Sequence, residues 1–287
     1  NFVNSIQERS EGRLEVSLFH SAQLFGGYDE LSALSRGDID ITNMTGSYPS
    51  GSVPSIGVFT LPFMFDDINH LSRALDAGLL DIGIRTELKE NHDVIILGVA
   101  PLDPYELYSR EEPILVKDDI KGKIWATTGS MDAQTIQALG GSPTGMSSSE
   151  LYLAFDKGVI DATPRPLITG LGRSLDEVIK HITQATFLVD TSILAINRNA
   201  WEQLPDDLQK IILDAASERD AQQIKMVESF IGDAIIHYEA NGVTMHNMSA
   251  ETIAELRSAS AKVIEKWAET VSGGDRYLEL IESTRIQ

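Results

Sequence analysis

The chain has no cysteine among its 287 residues. That removes structural disulfides, thiolate nucleophiles and cysteine-based metal sites together. It is also short of positive charge: 23 lysines and arginines stand against 43 aspartates and glutamates, a formal net charge of −20. A surface of that sign repels phosphate backbones and anionic lipid, so nucleic acid is not an expected partner, and the excess acid reads first as a solubility feature. No apolar run approaches the roughly 18 residues that a membrane-spanning helix needs. No basic leader precedes the amphipathic stretch Phe2-Val3-Asn4-Ser5-Ile6. The six histidines (His20, His70, His92, His181, His237 and His246) are scattered and form no His-Glu-x-x-His pair. Gly170-Leu171-Gly172 lacks the third glycine and the preceding strand of a dinucleotide site. Gly145-Met146-Ser147 is not followed by the glycine of a nucleophile elbow. The acid pairs Asp66-Asp67 and Asp118-Asp119 read as solvated faces or helix caps. No metal, cofactor or catalytic constellation is expected.

What is present alternates between helix and strand signals, which points to an α/β fold. Leu14-Glu15-Val16-Ser17-Leu18 alternates apolar and polar residues and reads as a strand. Residues 29–35 read as a helix closed by Gly37, with a short strand over 39–42. Val94 to Val99 is a continuous apolar run suited to a buried strand. Residues 206–238 hold one glycine and no proline, with apolar positions at helical spacing, and predict one long helix or two in sequence. A further helix is expected over about 250–271.

One internal echo suggests the architecture. Residues 29–42 and 150–163 share a helix, a glycine able to end it in the left-handed conformation (Gly37, Gly158), and a strand with an acid near its start (Asp40, Asp161). Gly12-Arg13-Leu14 and Gly122-Lys123-Ile124 echo each other as strand entries. Chance and common helix-to-strand grammar would explain this; so would two similar lobes, each with its own sheet, around a hinged cleft. Because Asp40 and Asp161 recur in both copies, they are read as fold residues that hold the glycine turn.

Several segments taken in order carry a resemblance: Gly12-Arg13-Leu14-Glu15-Val16, Gly37-Asp38-Ile39-Asp40, Phe59-Thr60-Leu61-Pro62-Phe63, Asp119-Ile120-Lys121-Gly122-Lys123-Ile124, Glu150-Leu151-Tyr152 and Gly158-Val159-Ile160-Asp161. The chain resembles the substrate-binding (DctP-type) component of TRAP transporters, the tripartite ATP-independent periplasmic family. The resemblance implies a two-lobed periplasmic-binding-protein clamp, a cleft between the lobes that binds a small-molecule ligand, and a long helix spanning both. It implies lobe I over 1–102 and 191–232, and lobe II over 103–190 and 233–287. It also implies an exported, periplasmic protein whose leader has been removed, delivering cargo to TRAP membrane permease subunits and performing no chemistry on it. Family members carry a first strand ahead of the point matching Asn1, so lobe I is expected to lack one strand.

The family usually places an arginine directly after Lys-Gly-x-Lys-Ile, where it clamps a substrate carboxylate; here that position is Trp125. A guanidinium suits the task because its planar fork makes two parallel hydrogen bonds. Forty residues on, where asparagine is common, stands Arg165 between Pro164 and Pro166, and Tyr105 occupies another position that can hold arginine. In one reading Arg165 takes the carboxylate of an organic acid and Trp125 stacks on the rest. In a second, Trp125, Tyr105 and Tyr108 form an aromatic face for a cationic or zwitterionic solute such as an amine or betaine, balanced by Asp103 or Asp190. In a third, Trp125 is lobe packing and Arg165 lies on the surface. The expected pocket is Trp125, Arg165 and Tyr105 with Asp190, joined by Phe63, Asn43 and Thr45 from the first lobe and Ser148 at a helix start. The rival functional class is a hydrolase using Asp103 and Asp190; a scaffold protein is the remaining alternative.

Overall fold

The computed structural model describes residues 2–286 and divides their strands between two sheets. Helices α1 (Phe2–Arg9) and α2 (Glu30–Arg36) precede strand β1 (Ile41–Thr45); helices α3 (Ile68–Asp76) and α4 (Ile84–His92) precede β2 (Val94–Pro101). Then come β3 (Tyr105–Ser109), β4 (Ile124–Thr127), α5 (Ser130–Ala138), β5 (Ser142–Gly145), α6 (Leu151–Asp156), β6 (Ala162–Pro166), α7 (Leu167–Leu171) and β7 (His181–Leu188). The chain closes with β8 (Thr191–Asn197), α8 (Arg198–Glu202), α9 (Asp206–Ala240), β9 (Thr244–Asn247), α10 (Ala250–Thr270) and α11 (Gly274–Ser283).

The first sheet has the order β1-β8-β2, with β8 antiparallel to both neighbours. Side chains alternate across a strand, so each face collects every second residue. On β8, Ile193 and Ala195 enter a core with Leu34, Phe59, Leu71 and Leu88. Leu194 and Ile196 enter the opposite core with Ile6, Ile212 and Ala215, under α1 and α9. The second sheet, β5-β4-β6-β3-β7-β9, repeats the principle. Trp125, Leu107 and Phe187 face one core with Ile136 and Leu256, while Ala126, Tyr108 and Ile182 face another with Phe155 and Tyr238.

Both halves of the internal echo fall on matching elements. Gly37 (φ 76°) ends α2 before β1 in the first sheet, and Gly158 (φ 66°) follows α6 before β6 in the second. The acids act differently from the expected clasp on the glycine turn. Asp161 Oδ2 accepts the Ile124 N–H at 2.7 Å and so fastens the start of β4, whereas at position 40 the backbone carbonyl accepts the Asn197 N–H at 2.8 Å.

Two expectations need correction. Leu14 to Leu18 is irregular rather than a strand. Leu14 and Val16 do lean on the core beneath α9, but none of the described strands lies beside the segment to supply ladder partners, and alternation without a partner leaves the backbone unpaired. The C-terminal stretch also does not remain with lobe II. Helix α10 begins against α5, but Trp267, Val271, Tyr277 and Ile281 end in the first lobe's core, and Trp267 Nε1 donates to the Pro54 carbonyl at 2.9 Å. The apolar face of α11 finds its complement there, so two helices, α9 and α10, run along both lobes.

The 35 residues of α9 form one uninterrupted helix, about 50 Å long. It buries Ile212 and Ala215 in lobe I, and Ala234 and Tyr238 in lobe II. The sheets are joined by two short strand connections, residues 102–104 and 189–190, tied together by Leu102 N–H donating to the Asp190 carbonyl at 2.8 Å.

Buried carboxyls gather beside these connections. Asp103 Oδ2 accepts the Ile168 N–H at the start of α7. Glu106 Oε2 accepts the N–H groups of Ala185 and Thr186, where β3 and β7 slip register. Burial pushes the Glu106 carboxyl up to about 7, against those hydrogen bonds, and Asp103 and Asp190 up to about 6. A carboxyl whose folded pKa is raised binds more protons in the native state than in the unfolded one. Its contribution is therefore fully present below about pH 4 and is lost as pH rises through 6–7. Glu106→Gln keeps the acceptor and removes the charge. It should raise the stability at pH 8 by on the order of 3 kcal/mol and flatten the decline between pH 4.5 and 7. Urea titrations at four pH values check this; an unchanged pH profile would refute it.

Candidate functional site

The lobes meet across their cleft through hydrogen bonds made largely to backbone. The Tyr28 hydroxyl donates to the Thr128 carbonyl at 3.1 Å, and the Ser148 N–H donates to the Tyr48 hydroxyl at 3.1 Å. The Ser130 N–H, opening α5, donates to Ser50 Oγ at 3.0 Å. The rings of Tyr28 and Tyr48 meet edge to face at 4.8 Å. Gly129 allows this approach: a Cβ there would lie 2.8 Å from Ser50 Oγ and 3.0 Å from the Ser47 carbonyl.

Two cavities open between the lobes and share Tyr48 and Thr128 as walls. The larger, about 360 Å³, is lined by residues such as Tyr28, Thr127 and Pro143, with no charged side chain among them. The smaller, about 220 Å³, holds all the charge: Arg165, Arg173 and Glu30 line it with Asn43, Thr45, Tyr105, Thr169 and the serines 147–149.

Arg165 sits on β6, fixed on either side by a proline and only 2% exposed. Its Nη1 donates to Thr128 Oγ1 at 2.6 Å and to the Pro164 carbonyl at 2.8 Å, and its Nη2 donates to the Met146 carbonyl at 2.9 Å. Every acceptor is neutral. Glu106 stands directly opposite in the β3–β6 register, but its carboxylate is drawn off by the β7 amides. Asp132 feels the Arg165 charge, yet it is spent on the N–H groups of Thr128 and Gly129, and burial raises its carboxyl overall. Among the described residues Arg165 therefore has no ion pair. A desolvated guanidinium with hydrogen bonds but no counter-charge is costly, and its free N–H groups are suited to an anion.

Of the residues expected from sequence, Arg165, Tyr105, Asn43, Thr45 and Ser148 line this cavity together. Asn43 is braced by Ser192 Oγ at 2.7 Å and Arg219 Nη2 at 2.6 Å, both donating to its Oδ1. Asp190 is fully buried and stands behind the wall. Its Oδ2 accepts the Tyr105 hydroxyl at 3.2 Å and the Ser47 N–H, and so aims the tyrosine. Trp125 is not in the cleft. Strand parity turns it beneath α5 and α10, where it is 0% exposed, donates Nε1 to the Ile120 carbonyl at 3.2 Å and fills the space that Gly141 leaves open. Phe63 is also packing: its ring meets Phe187 edge to face at 5.4 Å and its N–H binds the Phe187 carbonyl at the seam of the lobes. Tyr108 is buried against Tyr238 in the second lobe's core. Asp103 and Asp190 line neither of these two cavities.

Sequence reasoning missed Arg173, Glu30, Tyr48 and Thr128. Arg173 follows Arg165 by eight residues across a helix, a spacing that carries no periodic signal. Glu30 and Tyr48 come from the first lobe and stand beside second-lobe residues across the cleft.

The family described as "Bacterial extracellular solute-binding protein, family 7" (DctP) matches residues 1–270. The sialic acid-binding periplasmic protein SiaP of Vibrio cholerae is 25% identical over 85% of this chain and 75% of its own length. The C4-dicarboxylate-binding periplasmic protein DctP of Rhodobacter capsulatus is 25% identical over 94% of this chain and 81% of its own. Among solved structures, a TRAP periplasmic solute-binding protein of Desulfovibrio desulfuricans with bound sn-glycerol-3-phosphate superposes with a TM-score of 0.93. It is 25% identical, and the match covers 100% of this chain and 91% of that one.

Proposed function

This chain belongs to the DctP family of bacterial extracellular solute-binding proteins, and from that premise we propose that it encloses a small organic acid in the 220 Å³ interlobe cavity and delivers it to a TRAP-type membrane permease. The observation that carries the reading is Arg165: a buried guanidinium on the cavity wall, hydrogen-bonded only to neutral acceptors. The cargo carboxylate supplies the missing charge. Closing the lobes around it removes water and strengthens that pair. The hydroxyls of Tyr105, Thr128 and Ser148 then take the remaining polar groups of the solute.

The relatives fit the same logic, since sialic acid, C4-dicarboxylates and sn-glycerol-3-phosphate, named for three of them, all carry an anionic group. The aromatic-face reading for an amine or betaine loses its main surface, because Trp125 is inside the lobe. Among the described residues no helix is long and apolar enough to cross a membrane, in keeping with a periplasmic receptor that hands cargo to separate permease subunits.

A thermal-shift screen tests the assignment. A ligand that binds only the folded state adds RT ln(1 + [L]/Kd), about 2.7 kcal/mol at one hundred times Kd. At least one carboxylate in a library of organic acids, sugar acids, amines and betaines should raise Tm by several degrees and be recovered unaltered. A hit set made only of nitrogen bases without a carboxylate, or consumption of the hit, would remove the proposal.

A further inference from the structure

Glu30 opens α2 and lines the same cavity as Arg165, and among the described residues it is in no ion pair. It is half-buried, and burial pushes its carboxyl up to about 7. One small cavity thus has a glutamate and an arginine on its wall, neither of them in an ion pair among the described residues.

We propose that Glu30 is a second anchor and a specificity determinant of this cavity, its carboxylate accepting hydrogen bonds from an ammonium group of the cargo. The inference rests on the organic-acid reading and narrows it to acids that also carry an amino group. Closing the cleft strips water from both anchors. A desolvated carboxylate with no donor must then protonate or lose its hydration uncompensated. An ammonium satisfies it with charge and donors together, a hydroxyl supplies a donor without the charge, and a second carboxylate on the cargo would meet it with like charge. Glu30 in this way rejects dicarboxylates as well as selecting amino acids. Arg173 lines the cavity too, in no ion pair among the described residues.

Calorimetry with matched probes tests the inference in the full chain: 5-aminovalerate against glutarate, 6-aminohexanoate against adipate, and glucosaminate against gluconate. Among pairs that bind, the amino member should be at least tenfold tighter, and Glu30→Gln should cut that ratio at least tenfold. Circular dichroism and the Tm of ligand-free Glu30→Gln confirm that the variant is folded. An unchanged ratio in Glu30→Gln, or a nitrogen-free acid that binds most tightly of all probes, overturns the role of Glu30 and leaves the organic-acid reading standing. Absence of binding by every carboxylate, or equal binding by Arg165→Ala, overturns the organic-acid reading and this inference with it.

Discussion

Arg165→Ala should weaken capture of a carboxylate cargo roughly 30-fold to several thousand-fold, because removing one partner of a desolvated, hydrogen-bonded charge pair costs about 2–5 kcal/mol. Arg165→Lys should recover only part of the loss, since an ammonium cannot reproduce the two parallel bonds of the guanidinium fork. The ligand-free protein should respond with the opposite sign. Arg165 is buried beside neutral acceptors only, so its removal takes away an uncompensated charge, and the empty variant should hold or gain stability. Loss of affinity with no loss of Tm separates an anchor from a packing residue. Calorimetry together with melting curves of the empty proteins decides the matter; full affinity of Arg165→Ala for a carboxylate would defeat the assignment.

Trp125→Ala should show the reverse pattern. Truncating a fully buried tryptophan costs about 3–5 kcal/mol through lost contacts and an unfilled cavity. In a chain of this size that lowers Tm by about 10 °C. Cargo affinity, measured where the variant is still folded, should change little, because Trp125 lines neither cavity. Trp125→Arg should be worse than alanine: it would place a guanidinium under α5 and α10, among Ile136, Leu139 and Leu256. If Trp125→Ala instead lowered affinity sharply while melting like the parent, the ring would belong to the cleft and strand β4 would have to be turned over.

These two residues mark how far the fold and the site were legible. The glycine that ends each helix before a strand, at Gly37 and Gly158, was readable because it is a local backbone requirement, and it led to two lobes. A helical run over 206–238 was readable from apolar spacing, but not that it is one helix rather than two. Trp125 was not readable, because alternation within one strand does not show that both faces of β4 are covered by helices and that neither opens to the cleft. Arg165 was readable as a rigidly held cation between prolines. What distinguishes it, the diversion of Glu106 to a register slip in β7, depends on pairing between strands about 80 residues apart. Leu14 to Leu18 carried a genuine strand pattern, and it failed because a strand is a relation between two segments. Glu30 and Tyr48 carried no signal at all, since neighbours from the other lobe give them their role.

The bonds that join the lobes, from Tyr28 to the Thr128 carbonyl and from Ser130 to Ser50, are made between protein and protein. Their free energy is the same whichever molecule is enclosed. Strengthening or weakening them multiplies the dissociation constant of every solute by one common factor and leaves the ranking among solutes where it was. Choice of cargo is therefore governed by the cavity wall, while the rim scales the residence of every cargo by one common factor. A lineage can retune how long the receptor keeps its load, to match the pace of its permease, without altering what it picks up.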